Sequence, residues 1–215
     1  MLLVRHGTTP STGKVLPGRA PGLHLADSGR TQADTLARRL SDWASAGTET
    51  AADGGKPRIA AVYASPLERT RETAAPIASA LGLRVKVDRG LVECDFGEWT
   101  GAELKKLMKL PEWTTVQRYP SGFCFPGGES FRAMQTRIVT TVCALAGSHP
   151  GQTVVAVSHA DPIKAAVADA LGSHLDLFQR IVISPCSVTA ISYGPNGPTV
   201  VTVNSTSSLT ELVPS

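Results

Sequence analysis

Three short apolar runs, each broken off by a polar cluster, constrain this chain most: Leu2-Leu3-Val4, Ile59 to Ala64, and Val154-Val155-Ala156-Val157. Each is too short for a helix and evenly apolar, so each reads as a strand buried within a sheet. Helical stripes lie between them. Ala33, Leu36, Leu40 and Trp43 recur at three- and four-residue spacing behind Ser28 as cap, and Phe131, Met134, Ile138, Val142 and Leu145 do so up to Gly147. This alternation predicts an α/β fold, a three-layer α/β/α sandwich around a mainly parallel central sheet.

Local signals fill in the rest. Ser65-Pro66-Leu67-Glu68 fits a capping box with proline at the first helical position. The helix behind it should reach Leu81 and stop at Gly82, with Pro76 kinking or shortening it. Leu83 to Val87 reads as a short strand, and Thr100 to Leu110 as a small helix halted by Pro111. From Glu112 to Gly128 no period stands out. Asp161 and Pro162 read as N-cap and first position of a helix reaching Leu171. Ser187 to Tyr193 and Thr199 to Val203 form a hairpin-like pair around Gly194-Pro195-Asn196-Gly197. Thr8 to Asp27 is a long irregular loop and Thr48 to Pro57 a flexible surface loop. The expectation is one domain over residues 1–215, with a polar tail from about 204.

Composition excludes several classes. With 42% hydrophobic residues the chain can bury a core, which a disordered chain cannot. A net charge of +3, dispersed along the sequence, is too weak for a nucleic-acid binder. Its densest basic cluster, Lys105, Lys106 and Lys109, reads as the solvated face of a helix whose apolar side is Leu104, Leu107 and Met108. No apolar run approaches the roughly 20 residues that cross a bilayer. No secretory leader pattern follows Met1, and Cys94, Cys124, Cys143 and Cys186 show no paired spacing, so the cytoplasm is the expected location. Neither the cysteines nor the five histidines fall into ligand spacing, and no metal or cofactor is expected.

The chemistry sits where the three runs end: Arg5-His6-Gly7, Ser65-Pro66-Leu67-Glu68-Arg69 and Ser158-His159-Ala160. In a parallel sheet all three lie at the carboxyl edge, where open α/β sheets bind ligands. Helices starting after Ser65 and Ala160 would aim backbone N–H groups and positive dipole ends at the same place. Two imidazoles with Arg5 and Arg69 suit a phosphate that reacts.

Arg5-His6-Gly7, Ser65-Pro66-Leu67-x-Arg69-Thr70-x-x-Thr73-Ala74, Leu91-x-Glu93-x-x-Phe96-Gly97-x-Trp99-x-Gly101 and Ser158-His159-Ala160 resemble, in order, the signature blocks of the phosphoglycerate-mutase-like histidine phosphatase superfamily. Gly29-x-x-Gln32-Ala33 and Pro126-Gly127-Gly128-Glu129-Ser130 are similar to further elements of it. The resemblance implies a nucleophile at His6, phosphoryl-binding arginines at Arg5 and Arg69, and a second phosphoryl-contacting imidazole at His159. It makes Glu93 the general acid and then base. Glu98 and Arg71 are the local rivals of Glu93 and Arg69; His24, His149 and His174 read as surface or loop residues.

The chain departs from the pattern at Thr8 and Thr12, where members commonly carry glutamate and asparagine. Thr12 could donate one hydroxyl hydrogen bond to phosphate, and Thr9 keeps a hydroxyl the family usually has. Arg19, in Pro17-Gly18-Arg19, is expected as an extra phosphate or substrate contact. Between Pro120 and Gly128, Phe123 and Phe125 without any lysine or arginine suggest a pocket wall for organic groups. The expected function is a phosphatase acting on a small phosphorylated metabolite. The alternatives are a phosphoglycerate-type mutase, which the resemblance gives a longer insertion before the second histidine, and a non-catalytic phospholigand-binding module. Members are often dimers, so a homodimer stays open.

Overall fold

The computed structural model describes residues 1–46 and 59–206. Among these residues six strands form one sheet: β1 (Leu2–Arg5), β2 (Ile59–Ala64), β3 (Val85–Val87), β4 (Thr153–Ser158), β5 (Val188–Gly194) and β6 (Gly197–Ser205). Their order across it is β3-β2-β4-β1-β5-β6. The first four run parallel; β5 and β6 are antiparallel additions at one edge. Among the described residues six α-helices accompany them: α1 (Asp27–Ser45), α2 (Glu68–Ala80), α3 (Leu104–Leu107), α4 (Pro111–Arg118), α5 (Phe131–Gly147) and α6 (Ala160–Ala170).

Strand alternation splits the core in two. Leu2, Val4, Val155 and Val157 pack with Leu36 and Leu40 of α1 and Ile77 of α2. Leu3 and Ala156 face the other way, onto Phe131, Met134 and Ile138 of α5 and Ile163 of α6. Helices therefore cover both faces of the parallel strands, which explains why those strands carry almost no polar residue. Each fully buried Leu or Ile contributes roughly 1.5–3 kcal/mol of transfer free energy to holding the layers together.

The structure corrects several local expectations. α1 starts at Asp27 behind Ala26, so Ser28 lies inside it. α2 starts at Glu68 behind Leu67 without a side-chain cap, and it continues through Pro76. Ser65 is thereby free for another partner. α6 starts at Ala160, so Asp161 is helical rather than capping. β3 begins two residues later than expected. The helix expected over Thr100 to Leu110 is only α3; Pro111 does not end it but opens α4, in a stretch without a legible period. Proline fits a first helical turn, where its missing N–H would have no intrahelical partner, and ends a helix only where that N–H would have extended the ladder. Met108 is exposed, leaving Leu107 as the buried residue of that cluster. β6 runs to Ser205, past the start expected for the polar tail, and the 48–57 loop lies outside the described residues.

Candidate active site

β1, β4 and β2 are neighbours in parallel register, with Arg5 opposite Ser158 and Ala64 opposite Val157. The residues just past those ends must emerge side by side. His6 N–H bonds Ser158 O at 3.0 Å and Ser65 N–H bonds Val157 O at 3.0 Å, which fixes where the three chain segments leave the sheet. His6, His159, Arg69 and Glu93 are all buried there, and Arg5 is half-buried. Glu98 and Arg71, the rivals, are exposed.

Backbone packing sets the His6 ring. Gly7 N–H donates to Thr73 Oγ1 at 3.0 Å, and a Cβ on Gly7 would lie 2.6 Å from Gly29 O. A Cβ on Gly29 would collide in turn with Thr8 O. The two glycines thus let α1 close on the turn that carries the imidazole. Gln32 Oε1 accepts from Thr8 N–H at 2.9 Å and completes that contact. The ring places Nδ1 2.8 Å from Gly7 O, so Nδ1 carries the hydrogen and Nε2 its lone pair. The 5.2 Å between the ring centroids of His6 and His159, at an interplanar angle of 64°, puts the two imidazoles edge to face.

Arg69 is completely buried at the second position of α2. Its Nη2 donates to Gly18 O at 2.8 Å and its Nε to His6 Nε2 at 3.3 Å. Arg5 Nη1 donates to Ile183 O at 2.7 Å. His159 Nε2 meets Ser65 Oγ at 2.9 Å, and its Nδ1 lies 3.9 Å from Glu93 Oε2. Arg5 Nε, Arg69 Nη1 and His159 Nδ1 have no hydrogen-bond partner among the described residues. A buried donor left unmade costs about 1–3 kcal/mol. Arg5 Nε and Arg69 Nη1 are such donors, and His159 Nδ1 is a third when its Nε2 accepts from the Ser65 hydroxyl.

Burial and charge set the protonation states. Burial, then the guanidinium of Arg69 and that of Arg5, push His6 down to about 3, against the pull of the Gly7 carbonyl. His159 is also held well below the usual imidazole range, by burial first and then by Arg69 and His6. Burial and the nearby Asp161 charge push Glu93 up to about 7, although Arg69, Cys94 N–H and Arg5 pull the other way. Two neutral imidazoles and a protonatable carboxyl therefore share one cationic pocket.

Arg19 departs from expectation. Its guanidinium is spent on Glu93 O at 2.8 Å, Glu129 Oε2 at 2.9 Å and Asp95 Oδ2 at 3.4 Å, so it braces the Glu93 loop instead of facing an anion. Thr9 N–H donates to Thr12 Oγ1 at 2.9 Å, and the two hydroxyls lie 3.0 Å apart. That pair closes a turn beside the site; neither side chain bonds His6 or an arginine among the described residues. Phe123 and Phe125 are not a pocket wall either. Both are buried against Trp99 and Phe131 in the α5 core, because a wet site edge cannot compensate the removal of such rings from apolar contact.

Sequence reasoning missed three positioning groups. Ser65 orients His159, Thr73 holds Gly7, and Arg137 clamps the Glu93 loop. Arg137 donates to Gly90 O and Val92 O, both at 2.8 Å, and forms a two-point pair with Glu129 at 2.9 and 3.0 Å. A charge on the inward stripe of α5, next to Ile138, was the available signal for Arg137.

The profile of the histidine phosphatase superfamily (branch 1) matches residues 1–206. The chain belongs to that superfamily. Among relatives, the bifunctional protein Rv2228c of Mycobacterium tuberculosis is 34% identical over 200 residues, covering 92% of this chain and 51% of that protein. The chain thus spans about half that relative's length. Phosphoserine phosphatase 1 of Hydrogenobacter thermophilus is 32% identical over 183 residues, covering 83% of this chain and 79% of that one. In fold the chain is similar to a mycobacterial glucosyl-3-phosphoglycerate phosphatase, with a TM-score of 0.80 at 24% identity over 96% of this chain and 98% of the other.

Proposed function

We propose that the chain hydrolyses a small phosphomonoester through a phosphohistidine on His6. The observation that carries this reading is the lone pair of His6 Nε2 held against buried Arg69 and beside the His159 ring, with Arg5 Nε, Arg69 Nη1 and His159 Nδ1 buried and unpartnered among the described residues. Nε2 attacks phosphorus while the P–O bond to the alcohol breaks, and the departing oxygen takes the proton of Glu93. Arg5 Nε, Arg69 Nη1 and His159 Nδ1 hold the three phosphoryl oxygens as the group flattens. The Arg69 contact to Nε2, at 3.3 Å, is long enough to be exchanged for a phosphoryl oxygen. Glu93, now a carboxylate, takes a proton from the water that attacks phosphohistidine. Phosphate leaves, and His6 and Glu93 return to their starting forms.

The site supports hydrolysis over a mutase because the neighbouring basic groups that could hold a second anionic substituent, Arg19 and Arg137, are already paired with carboxylates. A binding module would have no use for a buried carboxyl with a raised pKa beside the phosphate donors. The expectations of a small phosphorylated substrate and a cytoplasmic location stand as part of this proposal. Among the described residues no helix is long and apolar enough to cross a membrane, and no His/Cys/Asp/Glu cluster could hold a metal ion. The test is steady release of phosphate from an aryl phosphate by the purified chain, lost in His6→Ala. Ordinary turnover by His6→Ala would overturn the nucleophile assignment.

A further inference from the structure

The segment that carries Glu93 lies outside every strand, yet each of its carbonyls from Gly90 to Glu93 has a side-chain donor. Arg137 takes Gly90 O and Val92 O, and Arg19 takes Glu93 O. Both arginines pair with Glu129, so they bond the segment to residues outside the sheet. Leu91 O is different: it accepts from Ser158 Oγ at 2.7 Å. Ser158 ends β4 and is completely buried. Side chains alternate along a strand, so Ser158 shares the face of Ala156, which packs in one cluster with Leu91 and α5. A hydroxyl in that apolar layer is costly unless it is bonded, and Leu91 O satisfies it.

The same residue holds the nucleophile. Ser158 O accepts from His6 N–H at 3.0 Å, and Arg5 stands opposite Ser158 in the parallel register. Two hydrogen bonds through one residue thus join the His6 backbone to Leu91, two positions before Glu93. The direction of the Glu93 side chain is set locally. Oε1 accepts from Cys94 N–H at 3.0 Å, and Oε2 lies 3.9 Å from His159 Nδ1. What is left to fix is where the Glu93 backbone stands relative to His6, and the Ser158 hydroxyl does this from the sheet side. A general acid works only within hydrogen-bond reach of its proton's destination, and a shift of about 1 Å can cost about 10²-fold.

We infer that Ser158 is a positioning residue for the general acid: with its carbonyl on His6 and its hydroxyl on Leu91, it holds Glu93 at the distance from the nucleophile from which a proton reaches the departing alcohol oxygen. The inference rests on the phosphatase reading above and names what places that site's acid.

Ethyl phosphate, whose alcohol needs a proton to leave, and para-nitrophenyl phosphate, whose phenolate does not, test it. Both are read on kcat/KM, which reports the steps up to phosphohistidine. Ser158→Ala should lose about tenfold on the ethyl ester and less than about threefold on the aryl ester. The alkaline limb on the ethyl ester, set by Glu93 at about 7, should move to lower pH, because a loosened segment lets water reach the carboxyl. Ser158→Cys, close in size but a weaker donor, should fall between wild type and Ser158→Ala. Taking the two esters as a ratio in one preparation cancels any loss of folded protein, and Ser158→Cys is read the same way if Ser158→Ala does not fold. Equal losses on both esters would overturn the inference. So would a lower melting temperature with the ratio and the limb unmoved, since the hydroxyl would then only satisfy the core. Wild type and Glu93→Gln run alongside separate the claims. No turnover of the aryl ester by the wild type sinks the phosphatase reading and the inference with it. A Glu93→Gln variant selectively poor on the ethyl ester, beside a Ser158→Ala variant that is not, sinks the positioning role alone.

Discussion

Arg69 Nε points at His6 Nε2 from 3.3 Å, a guanidinium donating to the nitrogen proposed as nucleophile. That contact does two things. It keeps Nε2 unprotonated by charge and geometry, and it puts the cation where a phosphoryl group bonded to Nε2 would place its oxygens.

Glu93 should set the alkaline limb of the pH profile. Its carboxyl is pushed up to about 7, so the acid form disappears as pH rises through that value and kcat/KM for alkyl phosphates falls with it. Glu93→Gln should remove the limb and cost about 10²–10⁴-fold on alkyl esters. Aryl phosphates, whose leaving groups need no proton, should lose far less. Equal losses on both ester types would rule out the acid role.

Ser65→Ala should act through His159. The hydroxyl lies 2.9 Å from His159 Nε2 and anchors the ring through the nitrogen opposite the Nδ1 proposed to contact the phosphoryl group. Its loss should cost about tenfold in kcat, equivalent to roughly 1.4 kcal/mol, with thermal stability close to that of the wild type. Ser65→Thr, which keeps the hydroxyl, should recover part of the loss. A stability change without a rate change would mean that the hydroxyl only packs.

Arg137→Ala should destabilise the fold by roughly 2–3 kcal/mol, since it leaves Glu129 with Arg19 as its remaining guanidinium partner and frees the 90–93 segment. Denaturant unfolding measures this directly. A loss under about half a kcal/mol would put the pair among weak surface bridges.

Acid sensitivity should trace to His6. Its folded-state pKa is depressed, so its contribution to stability is present above the ordinary imidazole value and is lost as pH falls through the window from 6.5 to about 3. Melting temperatures of His6→Asn should therefore fall less steeply across that window than those of the wild type. Parallel curves would contradict the depressed value.

Much of the architecture was legible because the parallel strands announce themselves. Ile59–Ala64 matches its expected bounds, the run Val154 to Val157 lies inside β4, and the stripe from Phe131 to Leu145 is α5. His6, Arg69 and His159 were legible as candidates because each follows a strand end or opens a helix, whereas Glu93, in irregular backbone between β3 and α3, was legible only through the family resemblance. Other features depended on contacts between distant segments. Arg19 could be read as an anion ligand only while its partners Glu129 and Asp95, far along the chain, were unseen. Phe123 and Phe125 gave no period because they fill a core gap from irregular backbone. Ser65 carries a strong capping signal, and that local signal concealed its contact with His159.

The most direct test of the central claim is to mix the chain with an aryl phosphate, quench within the first turnover, and map the phosphoryl group by mass spectrometry. The account predicts one phosphoryl group on the peptide carrying His6, retained in alkali and lost in acid, and no such label in His6→Ala. Full turnover with His6 never labelled, or with the label on another residue, would contradict it.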